Sequence, residues 1–361
     1  MNITLIITGL GMGGAERQVC DLADQFADKG HKVLLISMTG NTVNHPQSTN
    51  VNVVELKMAK TPIGFIKAYW LARRLIKHFK PDVVHSHMVH ANLFVRLLRL
   101  STRMPKLICT AHSSNEGGRG RMMAYRVTDT LCDLSTNVSQ EAVDAFIAQG
   151  AVPAKRIVAL PNGIDTLRFT FNANSRARLR AQLQLADNVS LILAVGRLTE
   201  AKDYPNLLTA FSLLPSKLNN TQLAIIGVGE QQTNIQTLAS KLGLTQRVHF
   251  LGLQHNVHQW MSAADLFVLS SAWEGFGLVV AEAMACERMV VATDCGGVKE
   301  VLGECGILVP AKNSLALAQG LQQGLALSSD SVKAQGQSAR AWVVKRYSLT
   351  AQADKWLELY Q

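Results

Sequence analysis

Two carboxylates separated by seven residues, with glycines between them, stand out in Trp273-Glu274-Gly275-Phe276-Gly277-Leu278-Val279-Val280-Ala281-Glu282. An ionised carboxylate only accepts hydrogen bonds, so Glu274 and Glu282 would repel phosphates but suit hydroxyl groups, such as those of a sugar and a ribose. Residues 263–271 read as a buried strand and 278–286 as an apolar helix, which puts Gly275 and Gly277 on a strand-to-helix turn. The first N–H groups of a helix have no internal partner and carry the positive end of its dipole. The amides of Gly275, Gly277 and Leu278 are therefore candidates to hold a phosphate or a sugar oxygen. The competing reading is the turn and dipole chemistry of any helix start.

A second segment supplies the opposite charge. Gly196-Arg197-Leu198-Thr199-Glu200-Ala201-Lys202 places two cations on the loop after a strand at 190–195. A diphosphate leaving group gathers negative charge on its β-phosphate as it departs, and fixed cations stabilise that charge more in the transition state than in the ground state. No Asp-x-Asp occurs in the chain, so the usual carboxylates for a Mg²⁺ or Mn²⁺ diphosphate site are missing. Arg197, Lys202 and helix amides would replace the metal, and neither a metal nor a cofactor is expected. Near the start, Gly9-x-Gly11-x-x-Gly14 matches the dinucleotide fingerprint, but the next strand ends Ile36-Ser37-Met38-Thr39-Gly40 without the acid that would hold a ribose. A Walker lysine is also absent, which leaves a glycine loop whose amides can approach a ligand. His85, His87 and His90 lie at a strand end and its loop without a clustered acid or cysteine, against a metal site. His112, in Cys109-Thr110-Ala111-His112-Ser113, directly follows a strand, where a histidine serves either structure or a ligand.

The spacing Glu-x7-Glu around Gly-Phe-Gly, together with Gly-Arg-Leu-x3-Lys, closely resembles the family 4 retaining glycosyltransferases of the GT-B fold, over nearly the whole chain. The resemblance implies an α/β protein of two Rossmann-like domains facing a central cleft. It implies a nucleotide-sugar donor, with Arg197 and Lys202 as the diphosphate clamp, Glu274 on the transferred sugar and Glu282 on the ribose. Gly275, Phe276, Gly277 and Leu278 become donor-binding positions, as do Gly13 and Gly14, because Gly13-Gly14-Ala15-Glu16-Arg17 resembles the family's amino-terminal loop. Backbone near Gly229 and Leu251 would contact the base, and Asn137, Ser139 and Asn162 would line the cleft. His112 would orient the sugar and stabilise the transition state rather than act as a general base. The transfer implied retains anomeric configuration, with the leaving diphosphate helping to deprotonate the acceptor hydroxyl. A UDP-hexose or UDP-N-acetylhexosamine is the expected donor, with GDP-mannose, a nucleotide-sugar epimerase and a nucleic-acid-binding module as the alternatives.

These groups need a scaffold, and the chain reads as one strand–helix alternation repeated twice. Strands at 2–8, 32–38, 82–86 and 106–110 alternate with helices at 63–79 and 92–100. A second series has strands at 190–195, 222–226, 248–250, 266–269 and 289–292 and a helix at 205–214. Such alternation means parallel sheets covered on both faces. A length of 361 residues fits two domains, set at 1–165 and 166–345, with 346–361 a helix packing back on the first. No apolar run reaches the ~20 residues of a membrane span, and a cytoplasmic protein is expected. The six cysteines, Cys20, Cys109, Cys132, Cys286, Cys295 and Cys305, form no Cys-x-x-Cys and read as small core residues. Of the net charge of +10, the stretch 57–126 carries fourteen Lys or Arg against Asp82 and Glu116. Together with the aromatic, basic segment 65–77 and with Arg96, Arg99, Arg103, Arg119, Arg121 and Arg126, this points to peripheral attachment to the anionic cytoplasmic face of a membrane. A glycan or lipid-linked glycan is the expected acceptor. Nucleic acid is disfavoured as a partner, because few aromatics interleave with the cations.

Overall fold

The β-branched apolar runs become central strands buried on both faces, as parallel pairing with helical crossovers requires. The computed structural model describes residues 1–114 and 116–361, and the chain divides into two compact units, Met1–Gly163 with Leu349–Gln361, and Ile164–Ser348. In the first unit the strands are β1 (Asn2–Ile7), β2 (Lys32–Ser37), β3 (Val51–Glu55), β4 (Val83–His87), β5 (Lys106–Ala111), β6 (Leu134–Asn137) and β7 (Ile157–Ala159). They pair in parallel in the order β3-β2-β1-β4-β5-β6-β7. Strand β3 is not among the strands expected above. Its residues are mostly half-exposed at the sheet edge, so no continuous apolar run marks it.

The second unit has β8 (Leu191–Val195), β9 (Gln222–Ile226), β10 (Val248–Gly252), β11 (Leu266–Leu269), β12 (Met289–Asp294) and β13 (Ile307–Pro310), also parallel, in the order β10-β9-β8-β11-β12-β13. Each sheet therefore reverses its winding once, beside β1 and β4 in one unit and beside β8 and β11 in the other. Outside the carboxyl ends of the strands at such a switch point, the flanking loops part and leave a crevice where ligands bind.

The last helix, Leu349–Tyr360, belongs to the first unit. It packs on the helix Gly14–Asp28, placing Trp356 and Tyr360 in a core with Phe26, Val19 and Leu5. The Tyr360 and Phe26 rings lie 5.5 Å apart. All six cysteines are free. Cys20, Cys109, Cys132 and Cys286 are buried as expected, whereas Cys295 and Cys305 are only half-buried, because they sit in loops beyond strand and helix ends.

Candidate functional site

The switch point of the second unit carries the charged residues. Beyond β8 the chain turns at Gly196 and Arg197 and forms a short 3-10 turn, Glu200–Lys202. Beyond β11 it runs through Ser270 and Ser271 to Glu274. The two loops are stitched together, since Ala272 N–H donates to Ala201 O at 2.8 Å and Ser270 Oγ to Lys202 O at 2.8 Å. Lys202 Nζ and Glu274 Oε1 form an ion pair whose side chains keep only 20% and 14% of their surface exposed. Ser271 Oγ donates to the same Glu274 oxygen at 2.8 Å. The sequence reading gave these two charges separate tasks; the structure brings them together. Arg197 is exposed, and its side chain makes no hydrogen bond or ion pair among the described residues.

Glycines set this geometry through close backbone approach. Gly296 has φ +56°, and a Cβ there would lie 2.0 Å from Glu274 O, so the loop beyond β12 can support the Glu274 segment only with glycine at this position. Gly229 works similarly: a Cβ would lie 2.4 Å from Leu198 O, in a loop where Leu198 N–H donates to Val228 O at 3.0 Å. The Tyr204 hydroxyl donates to Gly196 O at 3.0 Å, and burial pushes its phenol pKa up. Gly277, at φ +84°, is the N-cap of the helix Leu278–Ala285, which carries Glu282 half-buried at its fifth position. Phe276 turns its side chain inward, 5.5 Å from the Tyr347 ring, and so offers a ligand only backbone. Leu251 lies where the register between β10 and β9 shifts.

The first unit gathers neutral groups instead. His87 ends β4, and its Nδ1 lies 3.2 Å from His112 Nε2, one residue beyond β5. The His85 ring stacks 3.9 Å from His87. His85 is held at Nδ1 by the Tyr360 hydroxyl and at Nε2 by Thr110 Oγ1, each at 2.6 Å, and Thr110 meets Thr136 at 2.6 Å. Burial lowers all three histidines, His112 to about 4 and the other two well below the ordinary value. Glu116 clamps the main chain around them, one oxygen accepting from His112 N–H at 2.9 Å and the other from Val89 N–H at 2.8 Å. Burial raises the Glu116 pKa, against the lowering effect of those two amides.

Several expected site residues also carry local structural tasks. Gly13 is the N-cap of the helix Gly14–Asp28, and a Cβ on it would lie 2.2 Å from Glu16 Oε2, so this loop carries its own carboxylate beside Gly13 and Gly14. Asn137 donates to Ser113 O at 3.0 Å and is fully buried, while Ser139 caps the helix Gln140–Ala148. Arg96 is not a surface cation. It is fully buried and donates to Tyr125 O, Thr128 and Ser135, while Arg99 is tied to Asp133 at 2.8 Å. Sequence reasoning missed Ser271 as a support of Glu274, and it read Cys295-Gly296-Gly297-Val298 as a helix start near the sugar or a tight turn rather than as the backbone support of Glu274.

Residues 12–168 match the family model described as Glycosyltransferase Family 4, and residues 175–342 match that of the Glycosyl transferases group 1. The chain is 30% identical over 305 residues to a D-inositol 3-phosphate glycosyltransferase of Corynebacterium jeikeium, covering 78% of this chain and 72% of that one. It is 28% identical over 334 residues, 88% of each protein, to the N-acetylgalactosamine-N,N'-diacetylbacillosaminyl-diphospho-undecaprenol 4-alpha-N-acetylgalactosaminyltransferase of Campylobacter jejuni. Among solved structures, Anabaena HepE in complex with UDP superimposes with a TM-score of 0.86 over 99% of both chains at 22% identity. Two Rossmann-like units with this likeness define the GT-B fold. The chain belongs to the family 4 glycosyltransferases, and its activity is glycosyl transfer.

Proposed function

We propose that the protein is a retaining, metal-independent glycosyltransferase that moves a hexose or N-acetylhexosamine from a UDP-sugar to a hydroxyl of a lipid-linked glycan. The observation that carries this reading is the Lys202–Glu274 pair at the switch point, beside an exposed Arg197. Donor binding exchanges partners: the diphosphate takes Lys202 and Arg197, and a sugar hydroxyl donates to Glu274, so neither buried charge is left uncompensated. The bond from the anomeric carbon to the β-phosphate oxygen then breaks, and the two cations stabilise the electron pair left on the phosphate. The acceptor oxygen bonds to the anomeric carbon on the same face, and its proton passes to the leaving phosphate. Glu282 holds the ribose, and the turn Gly275–Leu278 supplies amides. Backbone at Gly229 and Leu251 meets the base, while Gly13, Gly14 and a neutral His112 serve from the first unit.

HepE bound to UDP supports a uridine donor, and the Campylobacter relative's name supports a diphosphate-linked lipid acceptor. Incubation with UDP- and GDP-sugars, with and without polyprenyl-diphosphate glycans and in the presence of a chelator, tests the proposal by mass analysis. A retained linkage made from a UDP-sugar is expected. Turnover only with GDP-mannose, only with added metal, or without an acceptor product would overturn it.

Attachment to a membrane surface is part of the reading. The helix Pro62–Phe79 buries only Ala68, Ala72 and Ile76, a stripe one residue wide. Ile63, Phe65, Ile66, Trp70 and Leu71 stay exposed beside Lys67, Arg74 and Lys77. Exposed apolar side chains flanked by cations suit an anionic lipid interface. Arg73 is less free, because it donates to Ser101 O at 3.2 Å and stacks on Trp70. None of the described helices is long and apolar enough to cross a membrane. Flotation with anionic vesicles at low salt should carry the protein, and Trp70→Ser with Arg74→Glu should release it; equal recovery of both forms argues against attachment by this helix.

A further inference from the structure

One atom in the histidine layer has nothing to bond. His87 is 1% exposed, and its Nε2 is buried without a hydrogen-bond partner among the described residues, while its Nδ1 faces His112 Nε2. Both rings are neutral, since burial pushes His112 down to about 4 and His87 well below the ordinary histidine value. Each neutral ring carries one proton, which leaves two arrangements for the contact. If His112 donated from Nε2, the proton of His87 would sit on its own Nε2, as a buried N–H with no acceptor. If His87 donates from Nδ1, its Nε2 is a bare lone pair, and the proton of His112 sits on Nδ1. Orphaned buried N–H groups are the rarer defect.

We infer that His87 is a positioning residue that fixes His112 as the Nδ1–H tautomer, making His112 a hydrogen-bond donor toward the transferred sugar. The inference rests on the placement of His112 at the donor sugar proposed above. His112 Nδ1 has no partner among the described residues and is not among the buried unpartnered nitrogens, and the residue is only half-buried, so this N–H is open to a ligand. A histidine in water prefers its proton on Nε2, so the pairing reverses an intrinsic preference. Its rigidity comes from behind. The His87 ring is backed by His85, which is pinned by Tyr360 and Thr110 and lies 4.4 Å from the Trp356 ring. Glu116 fixes the backbone of His112 from the other side. With its accessible nitrogen already protonated, His112 donates to a sugar oxygen and cannot take the acceptor's proton.

The direct test is long-range ¹H–¹⁵N correlation of the ¹⁵N-histidine-labelled full-length protein at pH 7.5. For His112, Nδ1 is expected at the shift of a protonated nitrogen and Nε2 at that of a bare one; the reverse assignment overturns the inference. His87→Asn keeps an N–H near the Nδ1 position, and should preserve the tautomer and kcat within about twofold, whereas His87→Phe should lose the tautomer. For His87→Phe, kcat should fall roughly tenfold, the worth of about one hydrogen bond, with KM little changed. An unchanged His112 tautomer in His87→Phe refutes the role of His87 whatever the activity. The wild-type spectrum decides the question even where His87→Phe folds poorly. Full activity of His112→Ala, with the Nδ1–H tautomer observed in the wild type, would instead sink the placement of His112 at the sugar and leave the pairing standing.

Discussion

The two units share a strand order but furnish their switch points differently. Beside β8 and β11 stand full charges, Lys202 against Glu274 with Arg197 exposed, whereas beside β1, β4 and β5 stand neutral imidazoles and hydroxyls joined by hydrogen bonds and ring contacts. The difference follows from what each can stabilise. A departing diphosphate needs fixed cations, while sugar hydroxyls need directional donors and acceptors that add no charge to a charged site. On the proposed reading, the electrostatic task and the positioning task are thus divided.

The comparison breaks most sharply at Glu274 and Lys202. Each of Glu274→Ala, Lys202→Ala and Arg197→Ala should lower kcat about 10²- to 10³-fold, the range for removing one transition-state stabiliser. Lys202→Ala with Glu274→Ala should cost clearly less than the product of the single losses, because each single change strands a buried charge. Steady-state kinetics on the four proteins measures this, and full activity in the single variants sinks the assignment. A smaller effect separates the units by pH. Unfolded histidines take up protons as pH falls through about 6.5, whereas folded His85, His87 and His112 stay neutral, His112 until about 4. The unfolded state then binds more protons, so stability present at neutral pH is lost on acidification, by up to about 1.4 kcal/mol per pH unit for each buried histidine. The melting temperature should decline from pH 7 to 5, and less steeply in His87→Asn; a flat profile contradicts the neutral layer. The smallest effect concerns the outer helix. Arg74→Glu should leave kcat on a water-soluble acceptor within about twofold while reducing vesicle binding.

Much of this was legible in the chain. The apolar runs that became β1, β8 and β11 fix both sheets by period and length, and Arg197, Lys202 and Glu274 stand out as candidates because the chemistry proposed for them needs those types beside glycines. Contacts between them were not legible. Lys202 and Glu274 lie 72 residues apart and meet only because β8 pairs with β11. Arg96 reads as a surface cation, since sequence gives its charge but not the Tyr125, Thr128 and Ser135 partners that allow its burial. His87 reads as one of a scattered histidine set until the register sets it opposite Thr110, beside His112.

The return of the final helix to the first unit has a consequence for biosynthesis. Trp356 and Tyr360 complete the core that holds Phe26 and back His85, yet the whole second unit separates them in the chain from the rest of that core. The amino-terminal half therefore leaves the ribosome with an apolar groove open along the helix Gly14–Asp28. It cannot finish folding until the whole second unit has followed, so a chain cut at the end of the second unit loses part of the first.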